Sequence, residues 1–351
     1  MSHGYKAITW TPFKARYDRW ILAGIALWLI AFVGVSYTTQ PPGESFTPIQ
    51  ALMRATGTLA FAMLTFILCI GPLARLSRRF LPLLYNRRHL GVSTFLIALV
   101  HAALVLLWYH GFSEVNPLAS VFASNPNYDS LAGFPFESLG FIALIIMFLM
   151  AATSHDFYNA NLGPGTWKAL HMGVYIAYGL LVMHIALGAL QFEKSPLYVT
   201  ALCASSLTVI GLHVVTGMAS FRPANRTALE GWLKVADLVD MEDTRAKIVR
   251  PSEGEAIAVF RSGQSISAVS NVCRHQGGPL GEGKIVDGCI TCPWHGFQYS
   301  PEDGQSPPPF TEKISTYATK IVDGAVYVNP EPNVPGTPQA STSIPAMEPA
   351  Q

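Results

Sequence analysis

The sequence predicts a membrane all-α six-helix bundle followed by a small all-β domain, and three observations carry that prediction. Half of the 351 residues are hydrophobic and only 13% are charged, too apolar for a single soluble globule of average usage. The apolar residues gather between positions 20 and 220 in long uncharged runs, whereas 221–330 has the mixed usage of a soluble domain. In that second region short β-branched stretches, at 256–260, 265–270 and 325–328, are punctuated by Gly, Asp and Pro.

Six spans are expected over 21–37, 52–70, 90–109, 136–153, 169–190 and 198–219. Each has about the 17–25 residues needed to cross a hydrocarbon core, and little of the polar face that a soluble helix of that length would need. The chain then divides into an N-terminal segment (1–20), the helical bundle (21–220), the β domain (228–330) and a tail (331–351). The tail is Pro, Ser, Thr and Ala without periodicity, which predicts disorder. No internal repeat is evident.

Lys and Arg set the orientation. With the N-terminus inside, the inner segments carry Lys6, Lys14, Arg16, Arg19, Arg75, Arg78, Arg79, Arg87, Arg88, Lys168, Arg222 and Arg226. The outer side carries only Lys194, with Arg54 just inside the second span. Twelve against two predicts that this integral membrane protein has its termini and its β domain in the cytoplasm. The first apolar run follows a basic, aromatic segment and lacks a small-residue cleavage site, so no cleavable leader is expected. A net charge of +1 argues against a nucleic-acid partner.

Five cysteines, an odd number, do not make a disulfide framework. Cys69 and Cys203 fall inside apolar runs and read as small buried hydrophobes. Cys273 and Cys292 each have a histidine close by: Cys273-Arg274-His275, then sixteen residues, then Cys292-Pro293-Trp294-His295. Two thiolates and two imidazoles on two short loops suit an asymmetric [2Fe–2S] cluster, with the cysteines on one iron and the histidines on the other. Gly277, Gly278, Pro279, Gly281, Gly283, Pro293 and Gly296 make those loops turn-rich. The competing reading is a structural Cys₂His₂ zinc site, which ordinarily pairs Cys with Cys and His with His locally. Cys289 has no ligand role.

The segment 232–329, including Gln276-Gly-Gly-Pro-Leu280 after His275, resembles the Rieske domain family in its ferredoxin and ring-hydroxylating-oxygenase branch. The cytochrome bc₁ branch has an extra Cys in each loop, where this chain has Gly278 and Trp294, and a Ser where this chain has Phe297. Tyr299 is retained. The resemblance implies a cluster without a neighbouring disulfide, suited to a reducing cytoplasm, and a lowered reduction potential, because a hydroxyl donor to a cluster sulfur is missing.

His89, His101, His171, His184 and His213 lie in or at the ends of spans, where ionisable groups are functional by default. His89 and His101 are 12 residues apart on the third span, and His171 and His184 are 13 apart on the fifth, about 18–20 Å along each helix. These spans run parallel, so matched pairs can clamp two stacked b-type haems with one imidazole from each helix. His101 and His184 fall in the outer half, His89 and His171 near the inner side. The stretch 50–190 resembles the ferric reductase-like transmembrane family, through Arg87-Arg88-His-Leu-Gly-Val as far as His101, Thr153-Ser154, Gly165-Thr-Trp167-Lys-Ala-Leu-His171, Tyr175 and His184. The resemblance implies one or two b-type haems. Two residues are candidates for the partner of His171: His89, which stands where bacterial reductase relatives have an apolar residue, and His213 on the sixth span. His3, His110 and His155 are assigned nothing.

Together these features predict an oxidoreductase component, a ferric reductase-like protein or an electron-transfer subunit. A soluble donor protein would reduce the cluster, and electrons would pass through the inner and outer haems to an unidentified outer acceptor. Reverse flow, from quinol or an outer donor to a cytoplasmic partner, is one alternative. A haem-free, membrane-anchored Rieske ferredoxin or redox sensor, its spans in contact with membrane lipid, is another. A terminal oxygenase needs a mononuclear iron site of two His and a carboxylate, and no His follows His295.

Overall fold

The computed structural model describes residues 12–39, 47–84, 87–112, 114–123, 127, 129–130, 133–154, 158, 162, 164–192, 195–220, 228–229, 231–275, 277–294, 296–308 and 310–345. The chain divides into two compact units, 1–161 with 169–216 and 162–168 with 217–351.

The main helices are α1 (Pro12–Thr38), α2 (Pro48–Leu76), α3 (Arg87–Val105), α4 (Pro117–Ala123), α5 (Phe136–Ala152), α6 (Pro164–His171), α7 (Gly173–Leu187) and α8 (Pro196–Ser220). Among the described residues five helical stretches are long and apolar enough to cross a membrane: Ala15–Thr38, Pro48–Leu76, Arg87–His110, Thr166–Phe192 and Pro196–Met218. The fourth expected span, α5, is apolar but shorter, at 17 residues. The π-helical turn Leu106–His110 prolongs α3.

Thr47 opens α2 with a reciprocal capping box: its hydroxyl accepts from Gln50 N–H, Gln50 Oε1 accepts from Thr47 N–H, and Pro48 follows at the first helical position. Inside the helices, threonines return their hydroxyls to the preceding turn, Thr56 to Leu52 O, Thr65 to Phe61 O, Thr94 to Leu90 O and Thr216 to Leu212 O. Each hydroxyl is thus satisfied without water, as hydrocarbon requires. The most extensive helix pairings are α2 with α3 and α5 with α7. Leu64 and Leu68 of α2, Ala143 and Met147 of α5, Ala177 and Tyr178 of α7 and Val209 of α8 form the buried centre. Leu27, Ile30, Ile176 and Leu207 are exposed, the apolar outer surface of a span meant for lipid. Cys69 is buried as expected, but Cys203 lies on the exposed side of α8.

The second unit is all-β. Its strands are β1 (Ala228–Leu229), β2 (Trp232–Asp237), β3 (Ala246–Val249), β4 (Ile257–Ser262), β5 (Ser265–Ser270), β6 (Lys284–Val286), β7 (Cys289–Thr291), β8 (Gln298–Tyr299), β9 (Thr316–Tyr317), β10 (Thr319–Val322), β11 (Ala325–Val328) and β12 (Thr342–Ser343). They form sheets ordered β1-β2-β11-β10, β12-β5-β4-β3 with β9 also on β5, and β6-β7-β8. Strand β4 is buried on both faces. Ile257 and Val259 join one core with Ile266, Val326 and Val328, while Ala258 and Phe260 join a second with Leu280, Ile290 and Tyr299.

The expected disorder of 331–351 is corrected over 331–345. Strand β12 pairs antiparallel with β5, Thr342 opposite Ile266 and Ser343 opposite Ser265. Asn333 Nδ2 donates to Thr316 Oγ1 and Gln339 Oε1, Gln339 N–H to Glu302 O, and Thr342 Oγ1 to Thr319 O. Backbone and amide hydrogen bonds, with only Ile344 packed on the core, hold this segment, so it carries no apolar period to read. Residues 346–351 lie outside the described residues.

Candidate functional site

Two loops of like geometry carry the cysteine–histidine motif. The first, between β5 and β6, begins at Cys273, whose N–H donates to Gly278 O (2.9 Å) while Gly277 N–H donates to Cys273 O (2.7 Å). In the second, between β7 and β8, Cys292 N–H donates to Phe297 O (2.8 Å) and Gly296 N–H to Cys292 O (2.9 Å). Both turns pass through a left-handed residue, Gly277 at φ +71° and Gly296 at φ +72°, which favours glycine. The loops thereby aim Cys273 and Cys292 inward, 1% and 2% exposed, in one apolar core.

Around them the chemistry suits cluster ligands. The Tyr299 hydroxyl accepts from Arg274 N–H (2.9 Å), which leaves its own proton for Cys273 Sγ at 3.5 Å. Burial, and then the Cys273 charge, push that hydroxyl far above the usual phenol range. His275 stacks on Phe297, with ring centroids 4.9 Å apart and planes within 5°, and Phe297 packs on Phe310. A Cβ at Gly278 would fall 2.8 Å from Cys292 Sγ and 3.1 Å from Trp294 Cδ2, so the backbone there cradles the sulfur and leaves no room for a second cysteine. This donor set fits a [2Fe–2S] cluster. His295 lies outside the described residues. Cys289 is half-buried on β7, its thiol raised by burial and by Asp287.

In the helical unit the structure treats the five histidines differently. His101 Nδ1 meets Met53 O at 2.9 Å, and His184 Nδ1 meets Phe136 O at 2.8 Å. A carbonyl only accepts, so each Nδ1 carries the proton and, in the neutral ring, each Nε2 carries the lone pair that a metal needs. Each ring also lies against a glycine of the neighbouring helix: a Cβ at Gly57 would be 2.8 Å from His101 Cε1, and one at Gly140 would be 2.8 Å from His184 Cε1. These paired, oriented imidazoles fit an axially ligated iron.

The inner candidates are less alike. His89 Nδ1 lies 2.9 and 3.1 Å from the two carboxylate oxygens of Asp18 on α1. His171 Nε2 is 3.5 Å from Ser154 Oγ. His213 is engaged at both nitrogens, Nδ1 to Val209 O at 2.8 Å and Nε2 to the Tyr175 hydroxyl at 2.9 Å. His3 and His155 lie outside the described residues.

Sequence reasoning missed the carbonyl and glycine partners, because no side chain marks them. It also missed His110, which is buried with Nδ1 2.8 Å from Ser120 Oγ and Nε2 3.5 Å from Glu137 Oε2. Glu137 directly follows Phe136, the anchor of His184.

Comparison with known proteins agrees with this division. Residues 56–182 match the ferric reductase like transmembrane component family, and residues 231–318 match the Rieske [2Fe-2S] domain. The chain is 32% identical over 165 residues to the protein-methionine-sulfoxide reductase heme-binding subunit MsrQ of Ralstonia nicotianae, a match covering 46% of this chain and 70% of that one. It is 40% identical over 74 residues to the anthranilate 1,2-dioxygenase ferredoxin subunit of Burkholderia cepacia, covering 21% of this chain and 68% of that one. Among solved structures, a chain from the complex of reduced oxygenase and oxidized ferredoxin in carbazole 1,9a-dioxygenase is 28% identical, with a TM-score of 0.29, over 30% of this chain and 99% of that chain. The protein is therefore an integral membrane member of the ferric reductase-like transmembrane family that carries a Rieske [2Fe–2S] domain on the same chain.

Proposed function

We propose that this protein is a membrane electron-transfer oxidoreductase component that passes electrons between a cytoplasmic [2Fe–2S] centre and b-type haem in the membrane, in the outward direction. When bound, the cluster and the haems supply one-electron carriers at fixed positions. Cys273 and Cys292 would hold the cluster through thiolates, and His275 and His295 would hold it through imidazoles. Tyr299 holds a proton toward Cys273 Sγ, which favours the reduced state. His101 and His184 would hold the outer haem through their Nε2 atoms.

An inner haem would be held by His171, with His89 as its partner. A carboxylate behind a histidine orients a ligand ring, and Asp18 stands there for His89. His213 is committed to Tyr175 and Val209 instead. The twelve inner basic residues support a cytoplasmic Rieske domain. The outward direction is supported by chain order, since the Rieske domain follows the last span, on the side that the basic residues assign to the cytoplasm, where a soluble donor would meet the chain. A soluble protein is the donor, and the acceptor is met at the outer face.

The observation that carries this reading is the matched pair His101 and His184, each held at Nδ1 by a backbone carbonyl, on one chain with the paired Cys273 and Cys292 loops. Stepwise reduction of the purified full-length protein tests it, with EPR following the cluster and absorbance following the haem. His101→Ala and His184→Ala are each expected to delete the same haem component. His171→Ala and His89→Ala are expected to delete another, and His213→Ala neither. Zinc in place of iron and sulfide, or no Soret band after expression with haem supplied, overturns the reading.

A further inference from the structure

Met53 and Gly57 stand four residues apart on α2, and Phe136 and Gly140 stand four apart on α5, so in each helix the carbonyl and the glycine share one face. Each pair serves one histidine, His101 on α3 and His184 on α7. Every element of the second set lies 83 positions after its counterpart: Phe136 after Met53, Gly140 after Gly57 and His184 after His101. The two helix pairs involved are the most extensive in the unit. A weaker echo lies nearer the inner side, where Arg88-His89-Leu90-Gly91-Val92 and Leu170-His171-Met172-Gly173-Val174 are 82 positions apart. The geometry is that of a repeated seat: a carbonyl at one position, a bare backbone one turn later, and an imidazole lying across both.

The bare backbone is needed sterically. Cβ atoms at Gly57 and Gly140 would come within 2.8–2.9 Å of ring atoms, well inside the roughly 3.5–4.0 Å at which carbon atoms pack. The ring cannot retreat freely, because its Nδ1 is held by the carbonyl one turn earlier and its Cα by its own helix. Side chains at these positions would either rotate the imidazole off the carbonyl or move Nε2.

We propose that Gly57 and Gly140 are positioning residues for the outer haem, fixing the rotation of His101 and His184 so that both Nε2 atoms are presented as axial ligands. This rests on the reading of His101 and His184 as haem ligands, and it adds that the ligand geometry is set by a two-fold repeated helix-pair motif rather than by the histidines alone. The two glycines are then equivalent in effect, and glycines with open space around an added Cβ, such as Gly24 and Gly179, are not.

The test uses the full-length protein expressed with haem supplied, with Gly57→Ala and Gly140→Ala compared against Gly24→Ala and Gly179→Ala. The latter two have no atom within 4 Å of an added Cβ. Gly57→Ala and Gly140→Ala should each lower retained haem about tenfold at limiting haem, or shift the low-spin EPR signal in the same sense, with the Rieske signal unchanged. Gly24→Ala and Gly179→Ala should match the parent. If either seat variant fails to accumulate, the doubles Gly57→Ala/His101→Ala and Gly140→Ala/His184→Ala decide the matter. Accumulation equal to the single histidine variants shows that the methyl acts through the ring, and continued failure overturns the proposal. A parent that binds haem while its seat variants keep parental haem content and EPR also overturns it, leaving the proposed function standing. A parent with a cluster and no haem overturns the proposed function instead.

Discussion

Phe297 is the residue at which cluster stability and cluster potential are set against each other. Its ring stacks on His275 and lies in the core that holds Cys273 and Cys292, so Phe297→Ser should cost the domain about 3 kcal/mol. The same change restores a hydroxyl that can donate to the cluster, and the reduction potential should rise from the low end of the about −150 to +300 mV Rieske span. EPR-monitored titration beside a thermal melt reads both effects, and a parent value already near the top of that span would refute this account of Phe297. Tyr299→Phe should act in the opposite direction on potential, because it removes the proton aimed at Cys273 Sγ. It also strands the Arg274 N–H, at about 1–3 kcal/mol. Burial keeps the Tyr299 hydroxyl protonated across the working range, so the shift caused by Tyr299→Phe should be the same at about pH 6 and about pH 9. A shift that vanished on the alkaline side would mean that the hydroxyl ionises there.

Among the elements, β12 is the one whose removal is most informative. A chain ending at Pro330 loses the pairing to β5 and the hydrogen bonds of Asn333, Gln339 and Thr342. At about 0.5–1.5 kcal/mol for each net bond, the domain should lose about 2–4 kcal/mol. The Rieske signal should persist, since neither cluster loop touches β12 in the sheet order. An unchanged melting temperature would show that the segment is ornamental. This element was illegible in the sequence for a physical reason: two residues paired to an edge, flanked by Pro and held by amides, make no period. The long helices were legible because hydrocarbon demands continuous apolar runs, and the cluster loops because thiolate and imidazole ligands have no cheap substitutes. Met53, Phe136, Gly57 and Gly140 were hidden because every residue owns a carbonyl, and a glycine shows its purpose only beside the ring it admits. His213 attracted attention by depth alone, and its bonds to Tyr175 and Val209 depend on how α7 and α8 pack, which no local pattern encodes.

At the level of the whole molecule, the basic residues and the cluster make a joint prediction. A reporter that works only in the cytoplasm, fused after the last residue, should be active, and a periplasmic reporter at the same place should be silent. The opposite pattern would invert the proposed route and place an unprotected iron–sulfur domain in an oxidising space. Tethering also changes what the strap formed by 331–345 means. A domain fixed to a bilayer shares a thin layer with its neighbours, where encounters between identical surfaces are frequent. Without β12, strand β5 would offer them an uncovered edge at Gln264–Ile266, where Gln264 O now accepts from Ile344 N–H, a ready template for strand addition from another copy. Because β12 already occupies that register, each chain fills its own edge, and crowding in the membrane plane does not turn a redox domain into the seed of a sheet.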